Sequence, residues 1–178
     1  SLMTEFQQAL MKQTQAAAVV IDDVAQLEGM DDAGIAAAAE AAKAKGLEGK
    51  WLVSITNTTR QPVLSQLKNR EVRQRVFEAS ANRGLAEGDG DTRALVLRLA
   101  TLRSERAALL GSPSWAAYAL GNQMAGKPEA VQTMLADMVP PVMKNVASEA
   151  ADIQSLIDQQ GGGFKLEPWD WEFYAEQI

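Results

Sequence analysis

PEAVQTMLADMVPPVMKNVASEAADIQSLIDQQGGG, residues Pro128 to Gly163, is the stretch that decides the fold class. Val131, Leu135, Met138, Val142, Val146, Ile153 and Ile157 recur at helical spacing and form one apolar stripe along a long helix opened by Pro128. Two consecutive prolines, Pro140 and Pro141, remove two backbone N–H donors, so a kink or a full break is expected there. The glycine triplet 161–163 then ends the helix.

Outward from it toward the C-terminus lies Pro168-Trp169-Asp170-Trp171-Glu172-Phe173-Tyr174-Ala175-Glu176-Gln177-Ile178, which holds four of the ten aromatic side chains. Pro168 suits a first helical turn, so a helix is expected from there. No glycine, basic last turn or polar tail follows Ile178, and the element is expected to be cut, the chain being a piece of something longer. Trp169, Trp171, Phe173 and Tyr174 cannot all face one side of a helix and are expected to contact more than this chain supplies.

In the other direction the same helical period continues. A helix is expected over residues 4 to about 27, with a break near Asp22-Asp23, and a second one capped by Asp31, stapled by Met30 and Ile35, and ending at Gly46. Trp51-Leu52-Val53-Ser54-Ile55-Thr56 is β-branched and aromatic and reads as the one strand. Its sole internal partner candidate is Phe164-Lys165-Leu166; otherwise the partner lies in another chain or in further sequence. Thr59 is expected to cap a short helix through Lys68, and Asn69 the next, with Val72, Val76 and Phe77 inward. Leu95, Leu99, Leu102 and Leu109 mark a central helix, and Ser112-Pro113 restarts the chain toward Trp115 and Tyr118. The expected architecture is mainly α: a bundle-like array of about 7–8 helices with one short strand at about 51–56, forming a single helical domain over 3–178. Ser1-Leu2 reads as a cloning remnant.

Composition narrows the chemistry. There are 178 residues, no cysteine and no histidine, with a net charge of −6. Histidine is the commonest metal ligand and the usual general base, so Ser-His-Asp and Cys-His arrangements and ordinary zinc sites are excluded. No catalytic and no metal residue is assigned. Residues 50–106 carry 11 of the 17 basic and 6 of the 23 acidic groups, which makes that segment +5 against −11 elsewhere. Solvated helix faces are the expectation, without nucleic acid as partner. No apolar run approaches the ~20 residues that span a bilayer, so no membrane is expected. Glu87-Gly88-Asp89-Gly90-Asp91 resembles the start of a calcium loop, but Thr92 stands where that loop needs glycine and Arg98 where it needs glutamate. It reads as a turn whose Asp89 or Asp91 caps the following helix.

Four stretches in order carry a family resemblance: WLVSITNTTRQ (51–61), NREVRQRVFEASANR (69–83), LLGSPSWAAYAL (109–120) and KLEPWDWEFYAEQ (165–177). Together they resemble the thimet-oligopeptidase-like zinc metallopeptidases, on the peptidyl-dipeptidase Dcp branch. The resemblance implies an almost wholly helical fold, and that this stretch belongs to the non-catalytic helical body preceding the metal-binding half. Family members cut short peptides with zinc held by a His-Glu-x-x-His helix and a later glutamate. None of that is present, so no catalytic or zinc-binding residue carries over. Gly34, where a capping-box acid is expected, is a second departure.

The functional expectation is a structural portion of a zinc peptidyl-dipeptidase or oligopeptidase, lining a restricted channel for short peptides, inactive alone, and partnered by the remainder of the enzyme. A cytoplasmic setting is expected, with the periplasm as the other option. The alternative is a stand-alone helical interaction module. In either case Trp51, Val53, Ile55, Trp169, Trp171, Phe173 and Tyr174 are the expected interface, and homodimerisation of the chain could use it.

Overall fold

The computed structural model describes residues 1–85 and 90–178, with backbone only for 57–61. Among the described residues there are eight α-helices: α1 Leu2–Ala16, α2 Asp32–Lys43, α3 Asn57–Gln66, α4 Arg70–Ala81, α5 Arg93–Leu109, α6 Trp115–Leu120, α7 Pro128–Gln159 and α8 Trp171–Ala175. They are joined by a two-stranded sheet, β1 Val19–Ile21 and β2 Trp51–Val53. The mainly α reading therefore holds. The chain gathers into two compact units: Ser1–Phe6 with Thr92–Ala151, and Gln7–Asp91 with Asp152–Ile178.

The second unit holds the sheet and the larger core. Residues 4–27 were expected as helix, but α1 stops at Ala16 and Val19-Val20-Ile21 pairs antiparallel with β2, Val19 opposite Val53 and Ile21 opposite Trp51. Three successive β-branched residues lose side-chain freedom in a helix and fit a pleated edge. The Lys45 ammonium donates to the Gln15 carbonyl at 2.9 Å, satisfying one acceptor that the stopped helix leaves open. The strand thus has an internal partner, and it is not Phe164-Lys165-Leu166. That segment is held instead by one side chain: the Gln154 amide donates to the Phe164 carbonyl (3.0 Å) and accepts from the Leu166 N–H (2.7 Å), as a strand neighbour would.

β2 is shorter than the expected 51–56 because Thr56, not Thr59, takes the N-cap position of α3, which places Pro62 inside the helix rather than in its first turn. Val19, Ile21, Leu27, Val53, Ile55, Val63, Leu64, Leu67, Val72 and Val76 form one buried cluster, with Met30, Ile35 and Phe77 packed against it. Met30 and Ile35, expected as a staple, both pack against that cluster, and the Asp31 carboxylate accepts from the Gly34 N–H at 2.7 Å. Asn69 caps α4 as expected, accepting from Val72 N–H at 3.1 Å. Of the Asp22-Asp23 pair, Asp23 caps a 3₁₀ turn over Val24–Leu27, while Asp22 pairs with Lys50 at 2.7 Å.

In the first unit α6 starts at Trp115 under a Ser114 cap, whose hydroxyl accepts from Ala117 N–H at 3.1 Å, rather than at Ser112-Pro113. Trp115 and Tyr118 lie 5.4 Å apart, with the Arg103 guanidinium 5.7 Å over the Trp115 ring and that of Arg106 5.7 Å over Tyr118. The expected centrality of α5 is not observed: Ala107 is its buried residue, and Leu97 and Leu109 are exposed. Thr92 occupies its N-cap position, while Asp89 lies outside the described residues.

α7 runs through Pro140 and Pro141 as one helix of 32 residues, so of the expected kink or full break the full break is absent. Proline's fixed φ is compatible with a helix, and what is lost is local: the hydrogen bonds to the carbonyls of Ala136 and Asp137. Along the stripe only Ile153 and Ile157 are buried, while Leu135, Met138, Val142 and Val146 are exposed. Among the described residues, no helix is long and apolar enough to cross a membrane.

Candidate functional site

The terminal segment is organised by a charge rather than by its aromatic rings. Asp170 is fully buried, immediately before α8. Arg70 Nε donates to both of its oxygens (3.0 and 3.1 Å) and Arg70 Nη2 to Oδ2 at 2.8 Å. Arg73 Nη2 reaches Oδ1 at 2.9 Å, and the Glu167 backbone N–H reaches Oδ2 at 3.2 Å. Both guanidiniums come from α4, three residues apart and therefore on one helix face.

Arg73, itself buried, distributes its remaining donors to backbone carbonyls: Nη1 to Leu67 (2.8 Å) and Lys68 (3.0 Å), Nε to Trp169 (3.3 Å). It thereby ties the C-terminal end of α3 to α4 and to the turn before α8. The aromatic rings cover this cluster. Arg70 lies 4.1 Å over Phe164 and 5.6 Å from Trp169, and Arg73 4.2 Å over Phe173. Trp169 meets Phe77 edge-on at 6.3 Å, and Phe173 meets Tyr174 edge-on at 5.0 Å. The buried Arg73 guanidinium and the partly exposed Arg70 against one buried carboxylate would be costly without such carbonyl and ring-face partners.

The arrangement is a clamp, and its chemistry is that of a lock. Both Asp170 oxygens have their lone pairs occupied by N–H donors, which leaves none for a metal ion or for proton transfer. Among the described residues no group of three histidine, cysteine, aspartate or glutamate side chains could hold a metal. Part of the acidic loop 87–91 lies outside those residues.

The expected interface residues are placed differently from one another. Val53 and Ile55 are buried in the larger core and are not available to a partner, and Trp51 is half-buried against the same core. Tyr174 is buried, and Trp171 and Phe173 pack around Ile153 and Ile157 with Phe164 and Leu166. α4 and the end of α7 supply contacts to the terminal aromatics within the chain, and Trp169, Trp171 and Phe173 remain partly exposed. They can face different directions because α8 spans only Trp171–Ala175, with Trp169 in the preceding turn. The Trp169 indole N–H is buried without an acceptor among the described residues.

Sequence reasoning missed Arg70, Arg73 and Asp170. The available signal was a charged residue set between two tryptophans, together with two arginines at helical spacing; their pairing across 100 residues was not readable. A separate cleft of about 290 Å³ opens between α2 and β2, lined by Met30, Asp31, Gly34, Ala38, Ser54 and Gln66 among others.

The comparisons with known proteins agree on a relationship. The model of Peptidase family M3 matches residues 63–178. Dipeptidyl carboxypeptidase of Escherichia coli (strain K12) is 43% identical over 178 residues, all of this chain and 26% of that relative. Oligopeptidase A of the same organism is 29% identical over 162 residues, 89% of this chain and 24% of the relative. Organellar oligopeptidase A, chloroplastic/mitochondrial, of Arabidopsis thaliana is 26% identical over 185 residues, 99% of this chain and 23% of the relative. The chain therefore spans about a quarter of the length of these relatives. With the family model covering most of the chain, including the whole terminal clamp, this chain belongs to Peptidase family M3.

Proposed function

We propose that these 178 residues are a non-catalytic helical part of a zinc-dependent peptidyl-dipeptidase, and that they help to wall a channel admitting short peptides. The carrying observation is 43% identity over the full chain to a dipeptidyl carboxypeptidase of which it spans 26%, in a sequence without histidine or cysteine. The residues present do not fit a zinc site: the usual nitrogen and sulfur ligands are missing, and the buried carboxylate of Asp170 is saturated. Zinc belongs to the remainder of the enzyme in this reading, and so does peptide-bond hydrolysis.

The contribution of this part is architectural. The Arg70–Asp170–Arg73 clamp fixes the terminal segment on α4. The partners are the remainder of the peptidase and, through it, short peptides; the setting is cytoplasmic.

Metal analysis and a peptidase assay test this directly. The purified chain is expected to contain no stoichiometric zinc after dialysis and to leave a blocked short peptide intact, with or without added zinc. Stoichiometric zinc or genuine turnover would sink the reading.

A further inference from the structure

We propose that the Val131–Val146 face of α7 is a docking surface for an amphipathic helix supplied by the part of the peptidase outside these 178 residues, one that carries a basic side chain on its flank. The proposal rests on the reading of the chain as one part of a larger enzyme.

At 100° per residue, Val131, Leu135, Met138, Val139, Val142, Val146, Ile153 and Ile157 fall within about 100° of arc on one helix, the width expected of a core-facing stripe. Its two ends differ. Ile153 and Ile157 are covered by Phe164, Leu166, Trp171, Phe173 and Tyr174. The same row continues uncovered toward the N-terminus, where Leu135 is 51% exposed, Met138 50% and Val142 48%. The open and the covered residues therefore belong to one apolar stripe of a single helix.

Two further facts argue for an occupant. Pro140 and Pro141 remove backbone hydrogen bonds from this helix, and few of its side chains before Ala151 gain packing in return. A helix so placed takes its stability from tertiary contacts rather than from propensity. The relatives that match the whole chain are also about four times its length, and so carry ample further sequence to cover it.

Charge favours a basic occupant over a second copy. Glu149 lies on the stripe between Val146 and Ile153, is exposed, and has no ion-pair partner among the described residues. Of the charged residues of α7 before Ala151, Glu149 alone falls on the stripe; Glu129, Asp137 and Lys144 fall on the opposite side of the helix. A second copy laid on this face would bring no basic side chain to Glu149, because the stripe carries none, whereas a partner helix with lysine or arginine on its flank would neutralise it.

The test replaces the matching 178 residues of the Escherichia coli dipeptidyl carboxypeptidase with this chain, and compares the chimera with its Leu135→Glu/Val142→Glu form. The same pair of substitutions is made in the 178-residue chain alone. Both side chains are half-exposed in the chain alone, so its melting midpoint is expected to move by less than about 1 °C. The chimera's midpoint is expected to fall by about 4 °C or more, because there the charges would be buried. An unchanged midpoint in an active chimera overturns the docking surface and leaves the reading as part of a peptidase standing. An unsubstituted chimera without peptidase activity sinks that reading, and the proposal with it. A chain that sediments as a dimer, with the dimer lost in the double variant, assigns the face to a second copy and also overturns the proposal.

Discussion

Asp170 shows how one residue can hold a segment without doing chemistry. Its carboxylate receives five N–H contacts, four from Arg70 and Arg73 and one from the Glu167 backbone, in a place closed to water. Asp170→Asn keeps the shape but removes the negative charge, which leaves the buried Arg73 guanidinium without its counter-charge. The expected loss is about 3 to 5 kcal/mol, measured by urea unfolding. Arg70→Met is expected to cost less, because Arg70 is one-third exposed and water partly replaces its role. At the surface, Lys50 lowers the pKa of Asp22, first by its hydrogen bond and then by its charge. The sign follows: the pair's stabilisation is complete above about pH 4 and is lost as pH falls through the lowered folded value. In Lys50→Met the Asp22 midpoint is expected to rise toward the ordinary aspartate value, as read by NMR titration of the carboxyl carbon; an unmoved midpoint would mean that the pair is not formed in solution.

At the scale of elements, the sequence was readable wherever a local signal stood alone. Asp31 with Gly34, and Asn69 with Val72, are caps whose donors lie three residues on, and both appear as expected. β1 was missed because Val19-Val20-Ile21 also fits the helical spacing begun at Phe6, and only pairing with β2 decides between the two. Strand pairing is a non-local term that a period does not contain. Gly29 belongs to the same class: its φ is +103°, and a β-carbon there would collide with the Gln66 carbonyl oxygen. The turn from the 3₁₀ helix into α2 therefore packs directly on the end of α3. Gly29→Ala is expected to cost more than about 1 kcal/mol in thermal or urea unfolding, since the adverse φ and the collision act together.

For the molecule as a whole, stability is distributed unevenly along α7. Its last two turns bury Ile153 and Ile157, whereas the region from Met134 to Val146 displays its apolar side chains. In the isolated chain, amides of 131–148 other than the prolines are expected to exchange with deuterium faster than those of 153–159, by about tenfold or more, measured by mass spectrometry or NMR. Equal protection along the helix would show that the exposed face is covered in solution, most simply by self-association. The expected interface of Val53 and Ile55 did not survive for a related reason: a β-branched segment looks sticky in sequence, and three-dimensional packing had already used it.

By itself the sequence determined the mainly helical class, several caps, and the absence of histidine and cysteine; it also carried the four ordered motifs whose resemblance agrees with Peptidase family M3. These are local or compositional properties, present in the chain before it folds. Tertiary structure alone decided that Val19–Ile21 is a strand, that Arg70 and Arg73 close on Asp170 across 100 residues, and that the α7 stripe is covered at one end and open along the rest. Each depends on which distant groups meet. Pairing, ion clamping and burial are energies of contact rather than of spacing, and the same apolar stripe reads alike whether its partner lies within the chain or beyond it.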